Sequence, residues 1–125
     1  MTKSAGLSME QINTDVELYH FTLYQQEALK SAIFPEEYKI IYPALGLAGE
    51  TGEVVEKVKK LLRGDVKLDD AYRDMLIKEL GDVLWYMAAL ANDLDTDLEE
   101  VAKINLVKLK DRQGRNKIQG NGDSR

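Results

Sequence analysis

The chain has 125 residues, 44% of them apolar, and carries a formal net charge of −5. This length fits one domain with one hydrophobic core, and the acidic balance excludes a general electrostatic attraction to nucleic acid or to an anionic membrane. The chain has no cysteine, which excludes disulfides and thiolate metal sites, and it shows no signal peptide and no long apolar run, so we expect a cytoplasmic protein.

The first predicted elements are a helix and a loop. Ser8-Met9-Glu10-Gln11 is a capping box, and the apolar residues after it recur at helical spacing, which predicts a helix that runs to about Ala32. Residues 33 to 42 form the loop that follows. Pro43 is then favourably placed in the first turn of a second helix, where a missing N–H costs nothing.

Three further helices complete the prediction. The second spans about residues 44 to 63 and ends at Gly64, a residue that favours helix C-termini. The third covers about residues 68 to 92. A capping box at Thr96-Asp97-Leu98-Glu99 begins the fourth, which runs to about residue 112. Neither strand-like alternation nor an internal repeat is present in the sequence, so the expected fold class is all-α.

The end of the chain differs in composition from the rest. Residues 114 to 125 contain three glycines and almost no apolar residue, which is typical of a tail. We therefore predict one domain over residues 1 to 125, with a core over about 8 to 112 and a flexible C-terminal tail over 114 to 125.

Two pairs of carboxylates at matched spacing are the most informative feature of the sequence. Glu50 and Glu53 are three residues apart on the second helix, and Glu79 and Asp82 are three apart on the third. Residues at this spacing project side by side, so facing helices would gather four negative charges in one cleft. Such crowding raises carboxyl pKa values unless a cation neutralises the charge. Oxygen ligands suit Mg²⁺, or Mn²⁺ as a substitute, and indicate a metal-dependent reaction on a phosphate substrate.

Three glycines interrupt the second helix at three-residue intervals, namely Gly46, Gly49 and Gly52. Each glycine in a helix interior costs about 0.8–1 kcal/mol relative to alanine. Two compatible explanations are open. A bulky side chain of a neighbouring helix packs against the glycines, or the backbone leaves room for a ligand beside Glu50 and Glu53.

Several polar residues have both a structural and a functional interpretation. On the third helix, Glu79 and Asp82 would either bind metal or lie at the solvent edge and pair with Lys78 or Arg73. Asn105 lies within the inward stripe of the fourth helix, as a core amide or as a ligand for a sugar or base edge. Lys108 and Arg112 follow on the same side, either as a solvated edge or as cations that bind phosphates.

Two lysines follow acidic residues on the second helix. Lys57 and Lys60 lie four residues after Glu53 and Glu56. At this spacing a lysine reaches the carboxylate one turn earlier, and such a pair contributes roughly 0.2–0.5 kcal/mol. We therefore interpret both lysines as partners in ion pairs on the helix surface.

These motifs resemble a known enzyme family. The segments Gly46-Leu47-Ala48-Gly49-Glu50-Thr51-Gly52-Glu53 and Lys78-Glu79-Leu80-Gly81-Asp82-Val83-Leu84-Trp85-Tyr86 closely resemble the MazG-like nucleoside triphosphate pyrophosphohydrolases. The similarity continues through Asn105 to Arg112 and covers roughly residues 15 to 125. It implies a four- to five-helix bundle that hydrolyses a nucleoside triphosphate between the α- and β-phosphates, with Mg²⁺ as cofactor. The expected products are a nucleoside monophosphate and pyrophosphate.

The resemblance also implies roles for individual residues. The metal ligands would be Glu50, Glu53, Glu79 and Asp82. The positions matching nucleotide-contacting residues are Tyr86, Asn105 and Lys108, and the first-helix residues expected to face the base are Gln25 and Gln26. One carboxylate that the metal does not fully engage would take the proton of the attacking water, and Glu53 is the candidate for this base. Relatives are usually dimers or tetramers, so a homodimer or homotetramer is expected.

Two alternatives remain beside this hypothesis. The same fold could act on another nucleotide, such as dUTP or phosphoribosyl-ATP. The chain could also be a non-catalytic helical dimerisation or regulatory module that retains the acidic motif. A panel of nucleotide substrates separates these possibilities.

Overall fold

A computed structural model describes residues 20 to 115, and this part of the chain is built from helices and contains no strand. Its four α-helices are α1 (Phe21–Ala28), α2 (Ile41–Arg63), α3 (Asp70–Asp93) and α4 (Leu98–Gly114). Two short 3-10 helices, Leu29–Ser31 and Glu36–Tyr38, lie between α1 and α2. The all-α fold class is confirmed. None of the described helices is long and apolar enough to cross a membrane.

The predicted boundaries differ from the observed ones mainly at the two ends. The capping box at Ser8 lies outside the described residues, and only the end of the predicted first helix is described, as α1 and the 3-10 helix after it. The fourth helix continues to Gly114, two residues beyond the predicted end. Residues 116 to 125 lie outside the described range, so the predicted tail stays a prediction.

Side-chain caps explain where α3 and α4 begin. The carboxylate of Asp69 accepts a hydrogen bond from the backbone N–H of Tyr72 at 2.8 Å. Asp97 accepts one from the N–H of Glu100 at 2.8 Å. Each carboxylate thereby satisfies one of the N–H groups that a helix start leaves without a partner. The observed cap of α4 is therefore Asp97, and the prediction of Thr96 as the cap was wrong by one residue.

The two ends of α2 are formed differently. Gly64 adopts a left-handed conformation with φ of 79°, and its N–H donates to the carbonyl of Leu61, so the predicted C-terminal stop is confirmed. At the other end Ile40 has φ of 68° and ψ of −52°, a conformation that is strained for a β-branched residue. Asp93, at the end of α3, accepts the N–H of Ile40 at 2.8 Å and holds this turn. Pro43 lies in the first turn of α2, as predicted, and is fully buried.

Helices α2 and α3 form an antiparallel pair. Gly46 near the start of α2 faces Tyr86 late in α3, and Lys57 near the end of α2 contacts Tyr72 early in α3. Helix α1 and the start of α4 pack on the C-terminal half of α3. This arrangement places corresponding turns of α2 and α3 opposite each other along most of their length.

The buried core lies between α1, α3 and α4. Ala88, Ala91 and Leu98 form its centre, with Tyr24 and Leu84 packed against it. These residues bring the last turns of α3 against the first turn of α4. Among the described residues this core is small, and two of its three central residues are alanines.

Large apolar side chains remain exposed on the described helices. On α2, Leu45 is 69% exposed and Leu62 is 87% exposed, and Leu80 on α3 and Leu106 and Val107 on α4 are exposed as well. A monomeric soluble protein rarely leaves so many large apolar groups in water. These helix faces therefore have the composition of an interaction surface.

Candidate active site

The pairing of α2 with α3 brings three carboxylates together. Glu50 of α2 and Glu79 and Asp82 of α3 each offer one oxygen, and these three oxygens lie within 4.8 Å of one another. Glu79 and Asp82 share a face of α3 because they are three residues apart, and Glu50 faces them across the helix interface. We call these three residues the carboxylate cluster. Its oxygen donors and its spacing fit one hard divalent cation held between the helices.

Electrostatics of the cluster favour a cation. Partial removal from water raises the pKa of Glu50, and the charges of Asp82, Glu79 and Glu53 raise it further. A carboxylate with three like charges around it gains most from a bound positive ion. The chemistry of the donor set is therefore consistent with a divalent metal.

Glu53 lies beside the cluster and is not one of its three members. It is exposed on α2, one turn after Glu50. Its charge raises the pKa of both Glu50 and Lys57, so it lies near enough to act on the same groups. The structure thus gathers three of the four predicted metal ligands and leaves the fourth at their edge.

Lys57 forms its ion pair with Glu79 of the cluster, on α3, and not with Glu53 on its own helix. Its Nζ lies 2.9 Å from Oε1 of Glu79. The interpretation of Lys57 as a surface partner of Glu53 was therefore wrong, because a carboxylate on the facing helix is within reach. The hydrogen bond to Glu79 raises the pKa of Lys57, and the nearby negative charges add to this effect.

The second predicted lysine pair was also wrong. Glu56 pairs with Lys59, three residues later, at 2.6 Å, and Lys60 is not its partner in that contact. Both side chains of this pair are nearly half exposed, so it is an ordinary pair on the surface of α2.

The glycines of α2 have different surroundings. A Cβ atom at Gly46 would overlap the ring of Tyr86, so the close packing of a bulky residue explains this glycine. A Cβ at Gly49 or Gly52 would meet no atom of the described chain within 4 Å. Packing within the chain therefore explains one glycine and leaves open space beside the other two.

An aromatic cavity begins one helical turn after the cluster along α3. Tyr86 lies one turn after Asp82 and lines a cavity of about 420 Å³ together with Phe34, Tyr42 and Trp85. We call this cavity the aromatic pocket. The rings of Phe34 and Tyr42 are stacked with centroids 4.9 Å apart, and Trp85 meets Tyr86 edge-on at 5.0 Å.

Hydrogen bonds hold the tryptophan of the pocket in place. Nε1 of Trp85 donates to the carbonyl of Ala28 at 3.0 Å and to Oγ of Ser31 at 3.1 Å. Burial raises the pKa of Tyr86, with a further increase from Tyr42, so its phenol remains protonated at neutral pH. The aromatic pocket is thus lined by apolar rings, and two of its polar groups, the indole N–H of Trp85 and the phenol of Tyr86, are uncharged.

A family model for the MazG nucleotide pyrophosphohydrolase domain matches residues 43–115, which hold the whole carboxylate cluster. The chain belongs to this family. It is also 45% identical over 113 residues to the Gene 37 protein of Mycobacterium phage L5, an alignment that covers 85% of this chain and 99% of the phage protein. No solved structure matches the chain. The protein therefore carries a MazG nucleotide pyrophosphohydrolase domain.

The other predicted substrate residues lie in different parts of the described chain. Gln25 is buried, and its amide donates to the carbonyl of Ala88 at 2.9 Å and accepts the N–H of Leu98 at 3.1 Å. Gln25 and the exposed Gln26 line one polar cavity, and the exposed Asn105 lines an apolar one. The carboxylates of the cluster line neither of these cavities, and they do not line the aromatic pocket either.

Two cations predicted to bind phosphate lie on α4. Lys108 is half-buried, and Arg112 is buried with 6% exposure. Both side chains have polar interactions within the protein. For these residues, as for Gln25, Gln26 and Asn105, a role in substrate binding stays a prediction.

Sequence reasoning missed two features of the described chain. The first is the position of Lys57, which is seven residues after Glu50 and therefore shares its face of α2. The second is the contribution of Phe34 and Tyr42 to the aromatic pocket. The heptad spacing could have indicated Lys57. No periodic pattern marks Phe34, which lies in a loop, and Tyr42 lies in the first turn of α2, in a stretch that was predicted to be loop.

Proposed function

We propose that the protein hydrolyses (deoxy)nucleoside triphosphates between the α- and β-phosphates and releases a nucleoside monophosphate and pyrophosphate, with Mg²⁺ as cofactor. The observation that carries this proposal is the convergence of the Glu50, Glu79 and Asp82 oxygens within 4.8 Å. Phosphoryl transfer is catalysed mainly by positioning and by neutralisation of charge. A carboxylate cluster able to bind a divalent ion supports this chemistry.

The cluster would hold the metal, with Glu53 as the fourth predicted ligand. A bound Mg²⁺ supplies charge neutralisation for the phosphate oxygens and increases the acidity of water. The residues of the chain keep the carboxylates on two facing helices, so the donors are in place before an ion arrives. This preorganisation is favourable because no helix has to move to complete the donor set.

Glu53 would act as the general base. It is exposed at the edge of the cluster, one turn from Glu50, where water has access to it. A carboxylate that other groups do not fully engage is able to accept the proton of the attacking water. The exposed position of Glu53 therefore supports the role of a general base better than the role of a fully coordinated metal ligand.

The aromatic pocket would receive the nucleobase. Aromatic side chains stack on every base, so the walls formed by Phe34, Tyr42, Trp85 and Tyr86 suit a nucleoside without fixing its identity. Tyr86 connects the pocket to the cluster because it follows Asp82 by one helical turn. A nucleotide would then lie along α3, with its phosphates at the cluster and its base at the pocket.

The active form would be a homodimer or homotetramer. The exposed apolar groups on α2, α3 and α4, such as Leu45, Leu62 and Leu80, support association of identical chains, because a second copy would remove them from water. Sedimentation equilibrium or light scattering coupled to gel filtration measures the assembly mass. A monomer at micromolar concentration would contradict this part of the proposal.

The catalytic proposal is tested with a panel of triphosphates. The protein is incubated with each deoxy- and ribonucleoside triphosphate, and with phosphoribosyl-ATP, in the presence of Mg²⁺, and the products are separated by anion-exchange chromatography. The expected products are monophosphate and pyrophosphate. Inorganic phosphate as the first product would contradict the proposed bond, and no cleavage of any nucleotide would favour the non-catalytic alternative.

A pair of variants tests the proposed base. Glu53→Gln should lower turnover by about 10²–10⁴-fold, the usual contribution of a general base, while the fold is retained. Glu56→Gln is the matched control, because Glu56 lies one turn further along α2 and pairs with Lys59 at the surface. Equal activity of the two variants would exclude Glu53 as the base.

A further inference from the structure

Lys57 reaches the carboxylate cluster from α2. It lies two turns after Glu50 on the same helix face, and its Nζ is 2.9 Å from Oε1 of Glu79. The two side chains are only 17% and 19% exposed. The ammonium group therefore lies against one of the proposed metal ligands and is largely shielded from solvent.

The backbone at Lys57 is fixed by the facing helix. Tyr72 is buried at the start of α3, and its hydroxyl donates to the carbonyl oxygen of Lys57 at 2.8 Å. This bond ties α2 to α3 at the residue from which the lysine side chain extends. The ion pair with Glu79 is thus built on an anchored position.

A second lysine on the same helix shows the contrast. Lys59 contacts Glu56 at 2.6 Å, but both belong to α2 and their side chains are 49% and 44% exposed. Such a pair is screened by solvent and contributes little. Lys57 differs because its partner belongs to the cluster and lies on another helix.

We propose that Lys57 is a positioning residue that serves as the counter-cation of Glu79 in the metal-free protein and is displaced when a divalent cation binds the carboxylate cluster. This inference rests on the proposed function, because it takes the cluster as the metal site. The ammonium and the metal compete because both use the lone pairs of the same carboxylate and because two cations a few ångströms apart repel each other. Before metal binds, the ammonium offsets the repulsion among the three carboxylates.

Titration calorimetry with Mn²⁺ alone tests this competition without substrate or turnover. Lys57→Met should bind Mn²⁺ at least about tenfold more tightly than the wild type. About tenfold is the change expected when a unit charge close to a divalent ion is removed in water, and the effect is larger where solvent is excluded. Its melting temperature without metal should be lower, because the cluster loses its counter-cation. Lys59→Met is the matched control and should change neither quantity.

A conservative variant separates charge from shape. Lys57→Arg keeps the positive charge and should bind Mn²⁺ as the wild type does. A merely structural lysine would instead give weaker Mn²⁺ binding in the methionine variant, through loss of cluster geometry. Equal or weaker Mn²⁺ affinity of a folded Lys57→Met variant would therefore overturn the inference.

Two further outcomes are decisive. If Lys57→Met is unfolded without metal, recovery of its fold on addition of Mn²⁺ supports the role of the lysine as a substitute for the metal, and no recovery overturns it. If the wild type itself binds no Mn²⁺, the metal site of the proposed function fails together with this inference. Equal affinity of wild type and Lys57→Met would overturn the role of Lys57 alone.

Discussion

Replacement of Glu50 by glutamine should stabilise the metal-free protein. The three oxygens of the cluster lie within 4.8 Å of one another. At that distance two carboxylates repel each other by about 0.9 kcal/mol in the dielectric of water, and by about 3.5 kcal/mol at an effective dielectric constant of 20. Asp82 is exposed and Lys57 offsets the charge of Glu79, so the lower figure applies.

We therefore expect Glu50→Gln to raise the free energy of unfolding of the metal-free protein by about 1 kcal/mol at low ionic strength. For a domain of this size the melting temperature should rise by about 4 °C. High salt should reduce the difference. Low pH should reduce it as well, because burial and neighbouring charges raise the pKa of Glu50 and the folded wild type gains stability as this group is protonated.

A divalent metal should reverse the order of stability. An ion at 100 times its dissociation constant adds about 2.7 kcal/mol to the protein that binds it. The wild type should therefore melt above Glu50→Gln in saturating Mg²⁺ or Mn²⁺ and below it in chelator, as measured by calorimetry. Glu56→Gln, on the surface of the same helix, is the control and should show no such reversal. A variant that melts lower without metal, or gains as much from metal as the wild type, would refute the role assigned to Glu50.

Four substitutions test the packing that supports the site. Gly46→Ala should destabilise the fold by about 1–3 kcal/mol because its Cβ meets the ring of Tyr86. Gly49→Ala should instead stabilise α2 by up to about 1 kcal/mol, because its Cβ enters open space. Equal stability of the two variants in denaturant unfolding would contradict this difference. Gln25→Leu leaves the N–H of Leu98 without its partner and removes a second hydrogen bond to the carbonyl of Ala88, so it should cost about 1–3 kcal/mol by the same measurement. Asp97→Ala removes the cap of α4 and should cost about 1 kcal/mol, and an unchanged unfolding midpoint would exclude a capping role.

The sequence predicted which acidic residues of one helix lie side by side because this information is local. Helical periodicity fixes which residues of one helix share a face, so the spacing of Glu79 and Asp82 was sufficient for α3. The same spacing on α2 places Glu50 and Glu53 side by side, but it does not determine which of the two points more directly toward α3. In the structure Glu50 joins the cluster and Glu53 remains at its edge.

Features that depend on contacts between distant segments could not be predicted. The spacing rule paired Lys57 with Glu53 one turn away, but the choice of Glu79 depends on how closely α2 approaches α3. Ile40 adopts a conformation that its branched side chain disfavours, and the carboxylate that holds it belongs to Asp93, 53 residues further along the chain. The two hydrogen bonds of Gln25 likewise depend on where α3 and α4 meet.

Trp85 gives the protein an intrinsic optical probe. It is the only tryptophan of the chain, and its indole is held in the wall of the aromatic pocket by the carbonyl of Ala28 and the hydroxyl of Ser31. Its fluorescence therefore originates from a single location, against the ring of Tyr86. A nucleoside that enters this space would alter the emission directly, so binding can be titrated without a label and without waiting for product to form.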